Sequence, residues 1–558
     1  MSHSAASLQI AQSVRLRPIG EVAAELGIAA DHVEPYGRHK AKIRLEASAG
    51  RPARGKLVLV TAMSPTPDGE GKTTVTIGLA QAMRRLGARA TVAIRQPSLG
   101  PVLGMKGGGA GGGRSQVLPM EDINLHFTGD LAAVGAAHNL LAALIDNDLH
   151  HHGSARIDPQ HVLWRRAVDM NDRVLRRIRI GLGGPTNGVE REDGFIITAA
   201  SEVMAALCLA RDRADLAARL GRLLVAYGPQ DEPVFAQDLG AAGAMSVLLR
   251  DAILPNLVQT VEGVPALVHG GPFANIAHGA SSLVATRLGL VYADVVVTEA
   301  GFGSELGAEK FFDIVCRAGE LAPRAVVLVA TCRALRLQGG AEKTRLDVPN
   351  IAAVTRGLGN LEAHVENVRR FGYEPVVALN RFATDVDGEL AAVEAFCADR
   401  GLACARADAF GGGGEGCEAL ARAVIGAMES GPPVAPRFLY RLEDSPADKI
   451  DVIARALYGA SDVAFVDNAP ADLARVSRLG LDGLPVCIAK TQAALGDDPA
   501  QIGRPRPGTF HVREVRPATG AGFLVALAGP VTTMPGLPRE PAALGFSLDH
   551  EGRVRGLY

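Results

Sequence analysis

Residues 56–86 combine an apolar run, a glycine-containing loop and a helical pattern, and this order constrains the fold strongly. The run KLVLVTA (56–62) is typical of a buried strand, and the loop SPTPDGEGKTT (64–74) follows it. Apolar residues then recur at helical spacing, at Val75, Leu79, Met83 and Leu86. This pattern predicts that Lys72 and Thr73 begin a helix, where backbone N–H groups and the helix dipole favour phosphate.

The loop differs from the usual phosphate-binding pattern at one position, because Thr66 stands where glycine normally precedes Gly-Lys-Thr. Lys72 can neutralise phosphate charge, and the Thr73 hydroxyl can bind Mg²⁺. A glycine turn capping an ordinary helix is the alternative, which the flanking strand and helix disfavour. The predicted ATP-contacting residues are Thr66, Pro67, Asp68, Gly69, Glu70, Gly71, Lys72 and Thr73.

Further apolar runs close on glycine or polar residues, and helical patterns separate several of them. The runs are ATVAIR (90–95), PALVHGG (265–271), ADVVVTEAG (293–301), AVVLVATC (325–332) and EPVVALNRF (374–382). This alternation predicts an α/β fold of the P-loop NTPase type, a mostly parallel sheet with helices on both faces. Ligands collect at the carboxyl ends of such strands, where we place Arg95, His269, Glu299, Thr331 and Asn380.

Two turn-rich stretches, FGGGGEG (410–416) and SGPPVAPRF (430–438), indicate later domain boundaries. The predicted domains are a nucleotide-binding P-loop domain at 1–362, a middle α/β domain at 363–457 and a C-terminal α/β domain at 458–558. The two smaller domains therefore accompany one large domain.

Composition favours a cytoplasmic protein that acts on small molecules. Of the 558 residues, 47% are hydrophobic and 21% charged, and the formal net charge is −2, which argues against a nucleic-acid-binding surface. No apolar stretch reaches the roughly 20 residues of a membrane span, and we expect no membrane partner. The seven cysteines are scattered without a Cys-x-x-Cys pair, which predicts reduced core cysteines.

The segment 94–130 is unusual for a linker, because its six glycines between 107 and 113 lie among charged side chains. Glycine lets backbone approach a ligand closely, which favours a binding loop, although flexible filler remains an alternative. The charged residues are Arg95, Lys106, Arg114, Glu121, Asp122, His126 and Asp130. The triplet at His150–His152 follows a helical pattern and precedes Gly153, so a helix end is favoured over a metal site.

Several long segments, in the same order, closely resemble the formate–tetrahydrofolate ligase family. They begin near EPYGRHKAKI (34–43) and continue almost to Tyr558. The others are TPDGEGKTT, RQPSLGP, KGGGAGGGRSQVLPMEDINLHFTGD, VHGGPFANIAHG, TEAGFGSELGAEKFFD, ALNRFATD, GGEG, REVRPATGAGF and TMPGLP. The family also carries threonine at the position of Thr66, so this residue follows the family pattern.

The resemblance implies a ligase that joins formate to tetrahydrofolate and yields 10-formyltetrahydrofolate, ADP and phosphate. ATP would convert formate to formyl phosphate, a better acyl donor, in the domain at 1–362. The middle domain at 363–457 would contribute to the folate site. The resemblance further implies Mg²⁺, a monovalent cation (K⁺ or NH₄⁺), a folate with or without additional glutamate units, and a homotetramer.

The same resemblance assigns roles to individual residues. Lys72 would clamp the transferred phosphate, and Arg95 would hold formyl phosphate through its guanidinium fork. Aromatic side chains that would contact the folate are Phe302, Phe382 and Phe410. Supporting residues would be His126, Asp130 and His269. The general base is left unassigned, because either histidine could equally be a hydrogen-bonding support.

Four residues depart from the usual family pattern: Ala132 and Gln338, where histidine is frequent, and Ser304 and Glu305, where alanine and aspartate are usual. They bear on proton handling and the cation site, and they keep a ligase-like protein of reduced activity as an alternative. A nucleotide-switch ATPase that drives assembly is a second alternative, because it would share the strand, loop and helix. Such a switch has no use for the folate-contacting phenylalanines.

Overall fold

A computed structural model describes residues 3–105 and 109–557 of the chain, apart from the side chains of residues 3–5. Its largest element is a sheet of 12 strands. In chain order these strands are Val33–Pro35, Ala41–Ile43, Lys56–Ala62, Ala90–Ile94, Gly111–Gly112, Ser115–Leu118, Asn256–Thr260, Pro265–Val268, Val295–Glu299, Pro323–Ala330, Val376–Asn380 and Cys404–Ala407.

The centre of this sheet is parallel, as the alternating pattern predicts. Across the sheet the parallel strands stand in the order Pro265–Val268, Ala90–Ile94, Val295–Glu299, Lys56–Ala62, Pro323–Ala330, Val376–Asn380 and Cys404–Ala407. The remaining strands pair antiparallel beside Pro265–Val268. The sheet is therefore mixed but mostly parallel, and it belongs to an α/β fold.

Successive residues of the strand Lys56–Ala62 enter different hydrophobic clusters, since Leu57 and Leu59 pack in one, and Val58 and Val60 in another. Side chains of a strand alternate between its faces, so both faces of the sheet are covered. The α-helices are His3–Ser13, Ile19–Leu26, Lys72–Arg85, Leu99–Leu103, Met120–Asn124, Asp130–His152, Glu202–Leu209, Arg213–Gly221, Ala241–Leu248, Leu283–Tyr292, Arg317–Gly319, Cys332–Gln338, Ile351–Arg370, Asp387–Asp399, Ala409–Gly412, Glu418–Glu429, Pro446–Tyr458 and Ala469–Arg478.

Two strands of the expected middle domain, Val376–Asn380 and Cys404–Ala407, continue the large sheet directly through parallel hydrogen bonding. The helix Ile351–Arg370 also runs across position 362. The middle of the chain and the strand Lys56–Ala62 thus share one sheet, and the division into domains at 362 and 457 stays a prediction.

The C-terminal part forms smaller sheets. Asp462–Phe465 pairs with Thr509–Val512, and Val486–Ala489 and Glu514–Ala518 flank Phe523–Leu527. The helices Pro446–Tyr458 and Ala469–Arg478 accompany these strands. Short two-stranded pairs complete the described fold: Arg166–Val168 with Phe195–Ile197, Ile178–Ile180 with Arg191–Asp193, Leu224–Tyr227 with Pro233–Phe235, and Ser547–Leu548 with Val554–Arg555.

Other sequence expectations can be compared with the fold. His150–His152 are the last residues of the helix Asp130–His152, which confirms the helix-end interpretation. All seven cysteines are free thiols, as predicted. Within residues 3–105 and 109–557, no helix is both long and apolar enough to cross a membrane.

Candidate functional site

The loop after the strand Lys56–Ala62 is held from several sides. Gly69 and Gly71 have positive φ angles of 83° and 71°, conformations that favour glycine. The Glu70 carboxylate accepts the Thr66 backbone N–H at 2.6 Å and also accepts the Thr331 hydroxyl. Asn380 donates its amide to the Glu70 carbonyl at 3.0 Å. Thr331 and Asn380, at the ends of two neighbouring strands, therefore hold the loop that precedes the helix Lys72–Arg85.

Glu299 links the helix start to Arg95. The Thr73 hydroxyl donates to Glu299 Oε2 at 2.9 Å, and Arg95 Nη2 lies 3.7 Å from Glu299 Oε1. Glu299 is 5% exposed, so this carboxylate is largely shielded from water. The three residues come from adjacent strands and the helix between them, and together they bring a hydroxyl, a carboxylate and a guanidinium into one place.

Arg95 lies just beyond the strand Ala90–Ile94 and has further unused hydrogen-bonding capacity. Its Nη1 donates to the Pro272 carbonyl at 3.1 Å, whereas its Nε is buried without an acceptor in the described part of the chain. A side chain at Gly301 would come within 3.3 Å of Arg95 Nη2. Glycine at 301 therefore leaves the guanidinium room, and an oxyanion would satisfy its remaining donors.

His278 is a completely buried histidine close to this guanidinium. Neither ring nitrogen has a hydrogen-bond partner among the described residues. Burial, reinforced by the charges of Arg95, Arg219 and Lys310, lowers the pKa of His278 to about 3. The ring is consequently neutral at physiological pH.

The three phenylalanines lie in different surroundings. Phe302 has φ of 60°, an uncommon conformation for a bulky residue, and it follows the glycine beside Arg95. The guanidinium of Arg333 lies 5.5 Å from the Phe382 ring centre and also pairs with Asp68 of the loop at 2.6 Å. Phe382 is thus linked to the loop through Arg333, whereas Phe302 lies next to the glycine beside Arg95.

Phe410 packs against the glycine-rich segment. A side-chain carbon at Gly112 would lie 3.1 Å from the Phe410 ring, and one at Gly113 would clash with the Phe410 carbonyl. Arg114 donates its backbone N–H to that carbonyl at 2.9 Å. These glycines therefore permit close contact with Phe410. The residues 106–108, part of the same expected binding loop, lie outside the described residues.

The residues predicted to support the site, Asp130, His269 and His126, differ in burial. Asp130 is buried, 2.7 Å from Lys42 Nζ and 2.6 Å from the Asn256 amide. His269 is buried with Nδ1 2.6 Å from the Ser282 hydroxyl and Nε2 2.7 Å from the Ala252 carbonyl. Burial lowers the pKa of His269 to about 4, and both of its nitrogens are occupied. His126 is exposed.

His364 is a buried histidine that contacts Ser64 at the start of the loop. Its Nε2 accepts the Ser64 backbone N–H at 2.8 Å, so the proton resides on Nδ1. Nδ1 lies 2.8 Å from the Ser304 hydroxyl and 3.6 Å from Glu305 Oε2. Glu305 Oε1 in turn lies 3.4 Å from Lys490 Nζ. A buried polar chain thus joins the loop at 64–74 to the C-terminal part.

Gln338 reaches the same region through Asn360. Asn360 donates to the Ser64 hydroxyl at 3.1 Å and lies 3.4 Å from Gln338 Oε1. Gln338 Oε1 also accepts the Gly503 backbone N–H at 2.8 Å. Three of the four predicted departures from the family pattern are therefore linked to Ser64 through one intervening side chain, Ser304 and Glu305 through His364 and Gln338 through Asn360. The fourth, Ala132, is exposed on the helix Asp130–His152.

Sequence reasoning placed Glu299 at a strand end but missed its contacts with Thr73 and Arg95. It also missed His278, His364 and the buried Gln96, whose side-chain amide atoms both lack partners in the described chain. For Glu299 the signal was available, since an acidic residue ending a strand beside a phosphate loop is where such folds hold a metal ligand. For the other residues no spacing signal exists.

Sequence comparison with known proteins identifies one family over almost the whole chain. A family profile described as "Formate--tetrahydrofolate ligase" matches residues 5–558. Proteins of that name from Arthrobacter sp. (strain FB24) and Paracoccus denitrificans (strain Pd 1222) are each 55% identical to this chain, over 558 and 554 residues. The alignments cover 99% of this chain in both cases, and 98% and 99% of the relatives.

A third relative of the same name, from Methylobacterium sp. (strain 4-46), is 55% identical over 557 residues, with 99% of both chains covered. The similarity is therefore not confined to the phosphate loop. It extends through the strand ends, the glycine-rich segment and the C-terminal strands. The chain belongs to the formate–tetrahydrofolate ligase family.

Proposed function

We propose that this protein joins formate to tetrahydrofolate at the expense of ATP and releases 10-formyltetrahydrofolate, ADP and phosphate. The observation that carries the proposal is the pair of contacts made by Glu299, to Thr73 of the phosphate loop and to Arg95. They link the loop that we propose binds the nucleotide to the guanidinium that we propose binds the oxyanion, and phosphorylation of a carboxylate requires the two to be close.

ATP binds along the loop in the manner of P-loop NTPases. The glycine loop and the start of the helix Lys72–Arg85 present backbone N–H groups to the phosphates, and Lys72 neutralises their charge. The Thr73 hydroxyl and the Glu299 carboxylate, 2.9 Å apart, are ligand types that Mg²⁺ prefers. These residues fit the metal, which would supply charge neutralisation on the phosphates.

The reaction proceeds through formyl phosphate. A formate oxygen attacks the terminal phosphorus of ATP, the bond from that phosphorus to the bridging oxygen breaks, and ADP leaves. Arg95 holds the resulting acyl phosphate, because its fork matches two oxygens of the anion. N10 of tetrahydrofolate then attacks the formyl carbon, the carbon–oxygen bond to phosphate breaks, and N10 loses a proton. The group that accepts this proton is unassigned.

The folate binds beside Phe302, Phe382 and Phe410. Aromatic faces suit a flat pterin ring, and Phe302 adjoins the glycine next to Arg95. Phe410 lies against glycines 112 and 113, and Phe382 lies beside the arginine that pairs with Asp68. His126, Asp130 and His269 support the site rather than touch the reacting atoms, with Asp130 paired to Lys42.

The proposal also includes three domains, at 1–362, 363–457 and 458–558, a requirement for K⁺ or NH₄⁺, and a homotetramer.

An assay in which each substrate is omitted in turn tests the activity. We expect ADP to form only when ATP, formate and tetrahydrofolate are all present, in equal amount to 10-formyltetrahydrofolate. Release of ADP at the same rate without formate and folate would contradict the ligase and favour a nucleotide switch. Lys72→Ala is the control, since losing the clamp should abolish product without loss of folate binding.

A further inference from the structure

Two adjoining cavities lie apart from the phosphate loop. The larger has a volume of about 480 Å³ and the smaller about 240 Å³, and both are lined by Arg165, Arg516 and Thr533. They open between the region around residues 160–230 and the C-terminal strands. The lining residues include none of the loop, nor Arg95, Glu299 or the three phenylalanines. The ligation described above therefore leaves these cavities without a role.

The smaller cavity is strongly basic. Three of its lining residues are arginines, Arg165, Arg176 and Arg516, and none is acidic. The Arg165 side chain has no hydrogen-bond or ion-pair partner in the described part of the chain. Arg176 donates Nε to the Met534 carbonyl at 2.9 Å but pairs with no carboxylate there. Only Arg516 is neutralised, by Glu514 on the same strand.

Uncompensated guanidinium groups at one opening attract a carboxylate, phosphate or sulfonate. The loop that completes this cavity adds small polar groups, since Thr532 and Thr533 both line it. Backbone bonds hold that loop, because Ile197 donates its N–H to the Thr533 carbonyl at 2.8 Å. This bond attaches the charged opening to the two-stranded pair Arg166–Val168 and Phe195–Ile197.

The larger cavity is lined mostly by apolar side chains, and its charged lining residues besides Arg165 and Arg516 are Glu202, Asp472, Arg475 and Glu514. Its walls include Leu163, Trp164, Leu224 and Phe523. The Trp164 ring is fixed, since it stacks on His138 with ring centres 4.3 Å apart and donates its indole N–H to the His138 carbonyl at 3.1 Å. Leu163 is 48% exposed, although side chains of this size are usually covered. A hydrophobic body entering here would cover it.

We propose that the two cavities form one binding site for an amphipathic organic anion, separate from the ligation site. Such a ligand has an aromatic or other apolar body, which occupies the larger cavity, and one anionic group, which contacts Arg165 and Arg176. The motifs REVRPATGAGF and TMPGLP supply Arg516, Thr533 and Met534 to this site. These two motifs thereby gain a binding role that the ligation reaction does not give them.

Anilinonaphthalene sulfonate is a suitable probe, because it joins an aromatic body to a single anionic group and fluoresces in apolar surroundings. The wild-type protein should bind it with saturable fluorescence. Arg176→Gln should weaken binding by roughly tenfold, the effect of one charge-assisted hydrogen bond. Arg177→Gln is the matched control, because this neighbour is 78% exposed, pairs with Glu192 and lines neither cavity.

The apolar wall has its own pair of variants. Leu163→Ser should reduce the fluorescence and weaken binding severalfold, whereas Leu182→Ser, at a residue 54% exposed that lines neither cavity, should leave both unchanged. Because these side chains are exposed, the variants should keep the thermal midpoint of the wild type.

Competition separates this site from the ligation site. Saturating MgATP or tetrahydrofolate should not displace the probe, and the probe should bind even to the inactive Lys72→Ala variant. Equal binding by Arg176→Gln and Arg177→Gln would overturn the proposal. Displacement by MgATP or tetrahydrofolate would overturn it as well, because the cavities would then belong to the substrate site.

Discussion

At the residue scale, Glu299 connects two groups that the sequence separates by 22 positions, Thr73 and Arg95. A carboxylate buried beside a guanidinium and a hydroxyl orients both, and in the proposed reaction it would offer an oxygen to a phosphate-bound cation. Glutamine would keep the size of the side chain but remove its charge. The residue therefore allows charge to be tested without a change of shape.

We expect Glu299→Gln to lower kcat by roughly 10²–10³-fold, because a charge directed at the phosphate-transfer region is removed. Tetrahydrofolate binding should be unchanged, since Glu299 contacts the phosphate side of the site. Steady-state kinetics and folate fluorescence titration measure the two effects. Glu192→Gln, on an exposed strand, is the control and should retain wild-type kcat.

Arg95→Lys keeps the positive charge but loses the planar fork. We expect kcat to fall by roughly 10²-fold, because a single ammonium group cannot hold two oxygens of an acyl phosphate in one geometry. Arg89→Lys, at an exposed arginine that pairs with Asp294, should be kinetically silent. Wild-type rates for Arg95→Lys at saturating substrates would contradict the role given to the guanidinium.

Glu305 and Lys490 form a fully buried pair, 3.4 Å apart, between the π-helical segment Ser304–Ala308 and the C-terminal part. Removing either partner leaves an uncompensated buried charge, so Glu305→Gln and Lys490→Met should each lower the unfolding free energy by roughly 3–5 kcal/mol. The double variant should lose less than the sum of the two. Thermal and chemical unfolding of the four proteins gives the comparison, and additive losses would show that the charges do not interact.

At the element scale, much of the sheet and of the loop follows from sequence patterns. The strand Lys56–Ala62 and the helix Lys72–Arg85 are the elements that the periodicity predicts, and five strand ends lie where polar residues closed apolar runs. Strand order could not be read in this way, because hydrogen bonding between distant segments leaves no periodic signal. Consequently the contact of Glu299 with Thr73, and the inclusion of Val376–Asn380 in the large sheet, emerge only from the fold.

The π-helical segments Ser304–Ala308 and Phe311–Cys316 are a further element that periodicity cannot reveal. Such segments are rare and occur often at functional sites. Glu309 lies between the two segments and Asp313 within the second; both are buried, and burial raises the pKa of Asp313 to about 7. If this stretch formed an ordinary amphipathic α-helix, some of its polar residues would be expected to face solvent.

One element contact carries a pH dependence. Glu202 begins the helix Glu202–Leu209 and accepts backbone N–H groups from Gly520 at 2.7 Å and Ala521 at 3.1 Å. Burial raises its pKa from 4.5 to about 7. Between these values the folded protein holds a proton that the unfolded chain releases, so the unfolding free energy falls as pH rises through this window.

The slope should be at most about 1.4 kcal/mol per pH unit. Glu202→Gln removes the titrating group, and its thermal midpoint should therefore decline less than that of the wild type between pH 5 and pH 7. Glu232→Gln provides an exposed control that should follow the wild type. Parallel declines of wild type and Glu202→Gln would contradict the link between this carboxyl and stability.

At the scale of the whole molecule, the resemblance predicts a homotetramer. Sedimentation equilibrium should then give four times the 58.1 kDa chain mass. A monomer mass at micromolar concentration would contradict this expectation. The assembly could not be derived from residue patterns, because interface composition resembles the rest of a protein surface.

The most direct test of the account follows a single oxygen atom. If formate attacks ATP and Arg95 holds the resulting formyl phosphate, then formate labelled with a heavy oxygen isotope transfers one labelled oxygen to each phosphate released. Mass spectrometry of that phosphate, during turnover with ATP and tetrahydrofolate, measures the transfer. We predict one labelled oxygen per phosphate; unlabelled phosphate formed together with 10-formyltetrahydrofolate would contradict the acyl phosphate route.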